Sequence, residues 1–295
     1  MFDPGNGGSR APPLYTLDVS NPSESIRARF ERLAATPDAD LDVEEGAILI
    51  AAEEYPDLDV DAVSAELDLL GDEAKRMLAG IDAPADRIEK LNQFLFEDLG
   101  FEGASEYFDP RNSYLNEVID RRVGIPITLA LVYIGVGSRA GLDLRGVSFP
   151  GHFLVRTPGE PPVILDAFDG SLVSVVDCER RLKAALGPTA ILDPALLGAA
   201  TPREILVRML GNLKNGFLGD GDWISAIDCC DRLLLVAPEL ASELRDRGIL
   251  WTRLGFVAPA IEDLERFLER VPNAPEAEQL RQEIVRLKAE DVTLH

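Results

Sequence analysis

"FPGHFLVRTPGEPPVILDAF", residues 149–168, holds two apolar runs separated by a Pro/Gly-rich turn, and it contains one of the two histidines in the chain. The runs read as an antiparallel hairpin. A turn centred on Gly159 sets Leu154 against Ile164 and Val155 against Val163, and it brings His152 directly opposite Asp166. Opposed residues place their Cβ atoms ~4.5–5.5 Å apart, near enough for a carboxylate to orient an imidazole and stabilise its charged form. No nucleophile is obvious beside this pair.

Working outward, "LRGVSF" (144–149) reads as a strand leading into the hairpin, and "GSLVSVV" (170–176) as one more strand before a helix in "DCERRLKAAL". Upstream, "NSYLNEVIDRR" (112–122) predicts a short helix from about Tyr114 to Arg122, capped by Asn112 or Ser113 and ended near Gly124. Pro126 suits the first turn of a second helix that is apolar on nearly every side to Arg139 and stops at Gly141. Such a helix is buried. Helices followed by an antiparallel sheet give an α+β class.

Towards the N-terminus, helical periodicity runs from Ser23 through "SESIRARFERLAA", "VEEGAILIAAEEY" and "VDAVSAELDLLGDEAKRMLAGI" to "PADRIEKLNQFLFEDLGF". The expected organisation is a disordered tail over 1–22, a helical subdomain over 23–100 and an antiparallel-sheet core over 101–200. The remainder, 201–295, repeats. Ala226 and Ala260 lie 34 residues apart, as do Pro238 and Pro272, the period of a tetratricopeptide array. Leu210, Leu213 and Phe217 correspond to Leu244, Arg247 and Trp251, and "PEAEQLRQEIVRLKAE" reads as a capping helix. Lys214 departs from the period, since Gly248 holds its place in the second unit.

The formal net charge of −23 disfavours phosphate backbones and anionic lipid, so neither a nucleic acid nor a membrane is expected as partner. Three cysteines, Cys178, Cys229 and Cys230, make no disulfide framework and fit a reducing cytoplasm. The longest apolar run, "GIPITLALVYIGVG", is shorter than the ~18 residues a membrane span needs. The N-terminus has no basic region and no apolar core, and is expected to be neither signal peptide nor anchor. No metal is expected, because the second histidine is the terminal His295 and no Cys-x-x-Cys or His-x-x-x-His spacing occurs. No cofactor is expected either, since "GNGGS" follows no strand.

Four stretches, "LNQFLFEDLGF" (91–101), "NSYLNEVIDRRVGIPITLALVY" (112–133), "GVSFPGHFLVR" (146–156) and "LDAFDG" (165–170), resemble the SirB-type transglutaminase-like family, regulators of sirC expression. That family joins a transglutaminase-like domain to tetratricopeptide repeats, and the resemblance covers about residues 23–290. It implies a transglutaminase/papain-like core in which a thiolate on a buried helix works with a histidine and an aspartate on successive strands. His152 and Asp166 match the last two, while the cysteine position falls near Thr128.

A threonine hydroxyl stays protonated where a thiol in the first helical turn would ionise. The resemblance therefore implies a non-catalytic adaptor or regulator, with a protein or peptide held in the repeat groove. The alternative is an acyl-transfer or amide-hydrolysing enzyme with Thr128 or Ser113 as oxygen nucleophile, His152 as base and Asp166 as orienter. Asn112, Ser113, Tyr114 and Phe168 are candidate binding residues. Capping and core packing are the competing roles of Asn112, Ser113 and Phe168, and the oligomeric state is open.

Overall fold

The computed structural model describes residues 25–106, 109–159 and 161–294, so the expected tail over 1–22 and His295 lie outside the described residues. Three helices open it: α1 (Ile26–Ala34), α2 (Val43–Glu54) and α3 (Val60–Met77). Ser25, Asp42 and Asp59 cap them by accepting first-turn amide protons. Every residue of α2 from Gly46 to Ala52 is buried, which makes it an interior helix rather than a surface one. α4 (Pro84–Asn92) starts on a proline and runs into a π-helical turn over Gln93–Asp98.

α5 (Leu115–Arg121) begins at Tyr114, and neither Asn112 nor Ser113 caps it. The expectation fails because "DPRN" makes a turn of its own, a 3-10 helix over Pro110–Asn112 in which the Asp109 carboxylate accepts the Arg111 amide proton. The helix ends where expected, at Arg122, the one described non-glycine residue with positive φ (62°). Gly124 instead belongs to β2 (Val123–Gly124), which runs parallel to β1 (Glu102–Gly103). α6 (Pro126–Arg139) is the expected buried helix, with only Ile134, Ser138 and Arg139 outside the interior.

A four-stranded antiparallel sheet follows, in the order β3 (Arg145–Val147), β4 (Leu154–Arg156), β5 (Ile164–Asp166) and β6 (Ser171–Leu172). The hairpin forms, but its register is two residues from the expected one: Val155 faces Leu165 and Arg156 faces Ile164. The loop closes on Thr157 and Val163, whose amides donate to the Val163 carbonyl and the Thr157 hydroxyl, each at 3.0 Å, rather than turning symmetrically about Gly159. A two-residue slip preserves the face on which each side chain lies. Phe153, Val155 and Leu165 accordingly join the main core that includes α6. Leu154 and Ile164 pack on the other face with Val147, Val173, Cys178 and Leu182 of α7 (Val175–Leu186).

Five helices complete the chain: α8 (Pro202–Asp220), α9 (Trp223–Val236), α10 (Ala241–Leu254), α11 (Val257–Arg270) and α12 (Ala277–Leu294). They are the two expected helical pairs and the closing helix, so the fold is an α+β core followed by a helical repeat region. The departure at Lys214 has a physical cause. Its ammonium is buried between repeats, 2.6 Å from Glu243 and 2.9 Å from Asp246. At Gly248 a Cβ would lie 2.8 Å from the Leu264 side chain.

The repeats are not a separate body. Leu206, Met209 and Leu210 of α8 and Ile227, Cys229 and Leu233 of α9 belong to the same hydrophobic core as α2 and α6. α8 approaches α2 so closely that a Cβ on Gly46 would stand 2.7 Å from Leu206. Arg203 joins three elements, donating to the carbonyls of Ala34 and Thr36 after α1 and of Val236 at the end of α9, while its amide is held by Asp38.

Candidate functional site: a histidine–aspartate–arginine cluster

The even-numbered side of the hairpin carries the site. Asp166 shares its face with Ile164 and therefore points towards α7, and Leu154, not His152, is its partner in register. His152 is the diagonal neighbour, two residues back from Leu154, and diagonal neighbours remain within reach of long side chains. Pro150 and Gly151 form a turn, closed by the His152 amide on the Phe149 carbonyl, that delivers the imidazole to the sheet edge. His152 Nε2 stands 2.6 Å from Asp166 Oδ2. The pairing expected from the sequence is thus present in a register that was not.

α7 adds a third member. Ser174 caps this helix in a reciprocal box with Asp177, Cys178 and Leu182 turn inward, and Arg181 reaches the sheet. Its Nη1 donates to the same Oδ2 of Asp166 at 2.5 Å, while Oδ1 accepts the Phe168 amide at 2.9 Å. The carboxylate is 2% exposed. Burial alone would raise its pKa, but the hydrogen bond and charge of His152, the Phe168 amide and Arg181 outweigh that and hold it below the usual carboxylate range. With Nε2 facing a carboxylate, Nδ1 is the ring atom left for chemistry, and no described residue bonds to it.

The turn behind Asp166 is braced by the first of the quoted stretches. Asn92 Nδ2 donates to the Gly170 carbonyl at 2.9 Å, and Tyr133 of α6 donates to Asn92 Oδ1 at 2.8 Å. Phe96, in the π-helical turn, stacks on Tyr133 and lies under Gly170. Phe168 meets the His152 ring edge-on at 6.3 Å between centroids, and its own ring lies across β1. A Cβ on Gly103 would come within 2.4 Å of Phe168 Cζ, so only glycine admits the ring there.

Thr128 belongs to the frame. Its hydroxyl is fully buried, donates towards the Asn112 carbonyl (2.7 Å) and the Ile125 carbonyl (3.1 Å), and accepts the Ile125 amide proton (3.1 Å). None of these bonds goes to His152. Asn112 is 1% exposed and spends its side chain on the Glu106 carbonyl and Arg121, while Ser113 is buried beside it. Tyr114 is buried edge-on against Tyr55 at 5.4 Å, near the seam with α9, and burial pushes its hydroxyl pKa up. Of the four candidate binding residues, only Phe168 stands at His152.

All three thiols are buried and unpaired in disulfides. Burial pushes Cys178 and Cys230 up and Cys229 up to about 12, so none carries thiolate at neutral pH. Arg181, Asn92 and Tyr133 were not singled out by the sequence reading. Arg181 had no signal beyond its place on an amphipathic helix, whereas Asn92 lies inside a quoted stretch and could have been marked.

The transglutaminase-like superfamily model matches residues 61–211, and a tetratricopeptide repeat model matches residues 213–284. A UPF0162 protein of Xylella fastidiosa is 37% identical over 272 residues, covering 90% of this chain and 97% of its own. This chain belongs to the UPF0162 family. Another UPF0162 member, from Vibrio cholerae, is 33% identical over 86% of this chain and 96% of its own. Among solved structures, one described as menin with its binding site for the Mixed Lineage Leukemia protein covers 82% of this chain and 69% of its own. At 11% identity and a TM-score of 0.38 it bears on nothing further. For this UPF0162 chain, the first match spans the helix α6 and the His152–Asp166–Arg181 cluster, and the second runs from the last part of α8 through α11 into α12.

Proposed function

We propose that this protein is a non-catalytic, SirB-type adaptor of the cytoplasm, in which a transglutaminase-like core without a thiol at its histidine is coupled to repeats that hold a peptide or helix. The observation that carries the reading is the hydrogen bonding of Thr128, whose buried hydroxyl is committed to backbone groups at the position where the resemblance implies a nucleophile. The repeats supply the complementary feature. Leu218, Trp223, Ile249 and Leu250 floor a hollow of about 370 Å³ between α8 and α10, with Arg253 stacked 4.9 Å over Trp223. A second hollow of about 310 Å³, reaching α12 through Leu280 and Gln279, shares Ile249 and Arg253 with it. An apolar floor edged by Asp246, Arg253 and Glu283 suits a peptide with apolar anchors, and the chain's −23 favours a neutral or basic one.

The binding test compares the full chain with an Ile249→Glu variant as bait, followed by affinity measurement with the purified partner. Equal affinity for both would remove the groove from the reading. The catalytic test incubates the full chain with glutamine-containing peptides and follows ammonia release; turnover abolished by His152→Ala would overturn the adaptor. One observation favours that second, amide-hydrolysing reading: the unengaged Nδ1 of His152, which could activate a water or hydroxyl.

A further inference from the structure

The cluster on Asp166 has more hydrogen-bonding capacity than it uses. Arg181 offers five N–H donors and commits one of them, through Nη1, to Asp166, and no other described residue accepts from it. Its side chain is 26% exposed and that of His152 is 20% exposed, so the spare donors open to solvent rather than being sealed in the interior. Both groups bind one oxygen atom, at 2.6 and 2.5 Å, which keeps the two nitrogens within ~5 Å of each other.

The carboxylate that gathers them is itself used up. Oδ2 receives both Arg181 Nη1 and His152 Nε2, Oδ1 receives the Phe168 amide, and the group is 2% exposed. What the trio shows to solvent is therefore the remainder of a guanidinium fork, which donates, and the far nitrogen of an imidazole, which donates when the ring is protonated, beside the Phe168 ring. The charged groups brought to His152 by the described residues are Asp166 from β5 and Arg181 from α7, with Asp177 one turn before Arg181.

We infer that Arg181 and His152 form a carboxylate-binding subsite, held in shape by the buried Asp166. A planar carboxylate matches the free edge of the guanidinium, and its second interaction falls on Nδ1–H of the protonated ring. With His152 protonated the trio carries one net positive charge, in a chain whose total is −23. No covalent step is involved. The subsite rests on the non-catalytic reading of the core, and a small free acid and the end of a peptide both present such a carboxylate.

The experiment follows the His152 ring resonances by NMR below neutral pH, in the full chain carrying His295→Gln so that one histidine remains. The probes are acetate, acetamide, and a trialanine peptide with a free or an amidated C-terminus. Acetate and the free-acid peptide should shift the ring resonances saturably, and the two amides should not. Tighter binding of the peptide than of acetate assigns the carboxylate to a chain end, and equal binding assigns it to a small acid. Arg181→Met should weaken the response at least tenfold, with Arg181→Lys between the two, while circular dichroism shows each variant folded. Equal responses to acetate and acetamide, or an undiminished response in Arg181→Met, would overturn the subsite. Ammonia released from acetamide would instead strike at the adaptor reading, so the two failures are distinguishable.

Discussion

Asp166 and His152 are diagonal rather than opposed across β4 and β5, and Nε2 nevertheless reaches Oδ2 at 2.6 Å because both residues lie on the face that looks at α7. Arg181 binds the same oxygen, so the carboxylate is the hub of the site. Its pKa, which burial works to raise, is held below the carboxylate value of the unfolded chain (~3.9) by His152, the Phe168 amide and Arg181. The stability it contributes is therefore whole above that unfolded value and is lost as pH falls through the lower folded one. Asp166→Asn should cost about 1.5–3 kcal/mol at neutral pH, the range for hydrogen bonds to a charged group. Urea titrations should show the gap between the two proteins closing below about pH 4.

Thr128 offers a test that separates frame from nucleophile. Thr128→Val keeps the shape but leaves the Asn112 carbonyl and the Ile125 amide only their long 3.4 Å bond to each other, and should cost about 1–3 kcal/mol. Thr128→Ser keeps these bonds and loses one buried methyl, about 1 kcal/mol. Denaturant midpoints that rank wild type, Ser, then Val support the frame. Identical stability of Val and wild type would contradict it.

Gly103→Ala should disturb the site from a distance in sequence of 65 residues, because the new methyl meets the Phe168 ring. Overpacking of this kind costs about 1–3 kcal/mol. A second change, Phe168→Leu, should recover part of the loss, a coupling that a double-mutant cycle measures directly. Additive effects would mean the two residues do not touch.

Arg203→Met removes donors from carbonyls that end α1 and α9, and should destabilise the whole molecule rather than the repeats alone. Both tryptophans, Trp223 and Trp251, lie in the repeats. Their fluorescence should follow the same thermal transition as far-UV circular dichroism, in wild type and variant alike, since α8 and α9 share the core of α2 and α6. Two separated transitions would show the shared core to be energetically weak.

Folded protein should be nearly inert to thiol alkylation at neutral pH, because all three cysteines are buried and their pKa values are raised by burial. Labelling should rise to three thiols per chain on denaturation. A single fast-reacting thiol in the native state would reopen the search for a nucleophile.

The sequence by itself determined the elements in outline. The 34-residue period, the all-apolar α6 and the paired runs on either side of Gly159 each follow from local periodicity, which depends only on neighbours along the chain. The same local logic failed where a competing local bond existed: Asp109 capped a turn that takes in Asn112 and leaves α5 without a side-chain cap, and the Thr157–Val163 closure moved the hairpin by two. Only the tertiary structure decided that Arg181 completes the cluster, that Tyr114 lies buried against Tyr55 near the α9 seam, and that α8 is core to the domain before it. Those relationships join residues far apart in the chain. They are set by which faces pack together, and no spacing along the sequence encodes that.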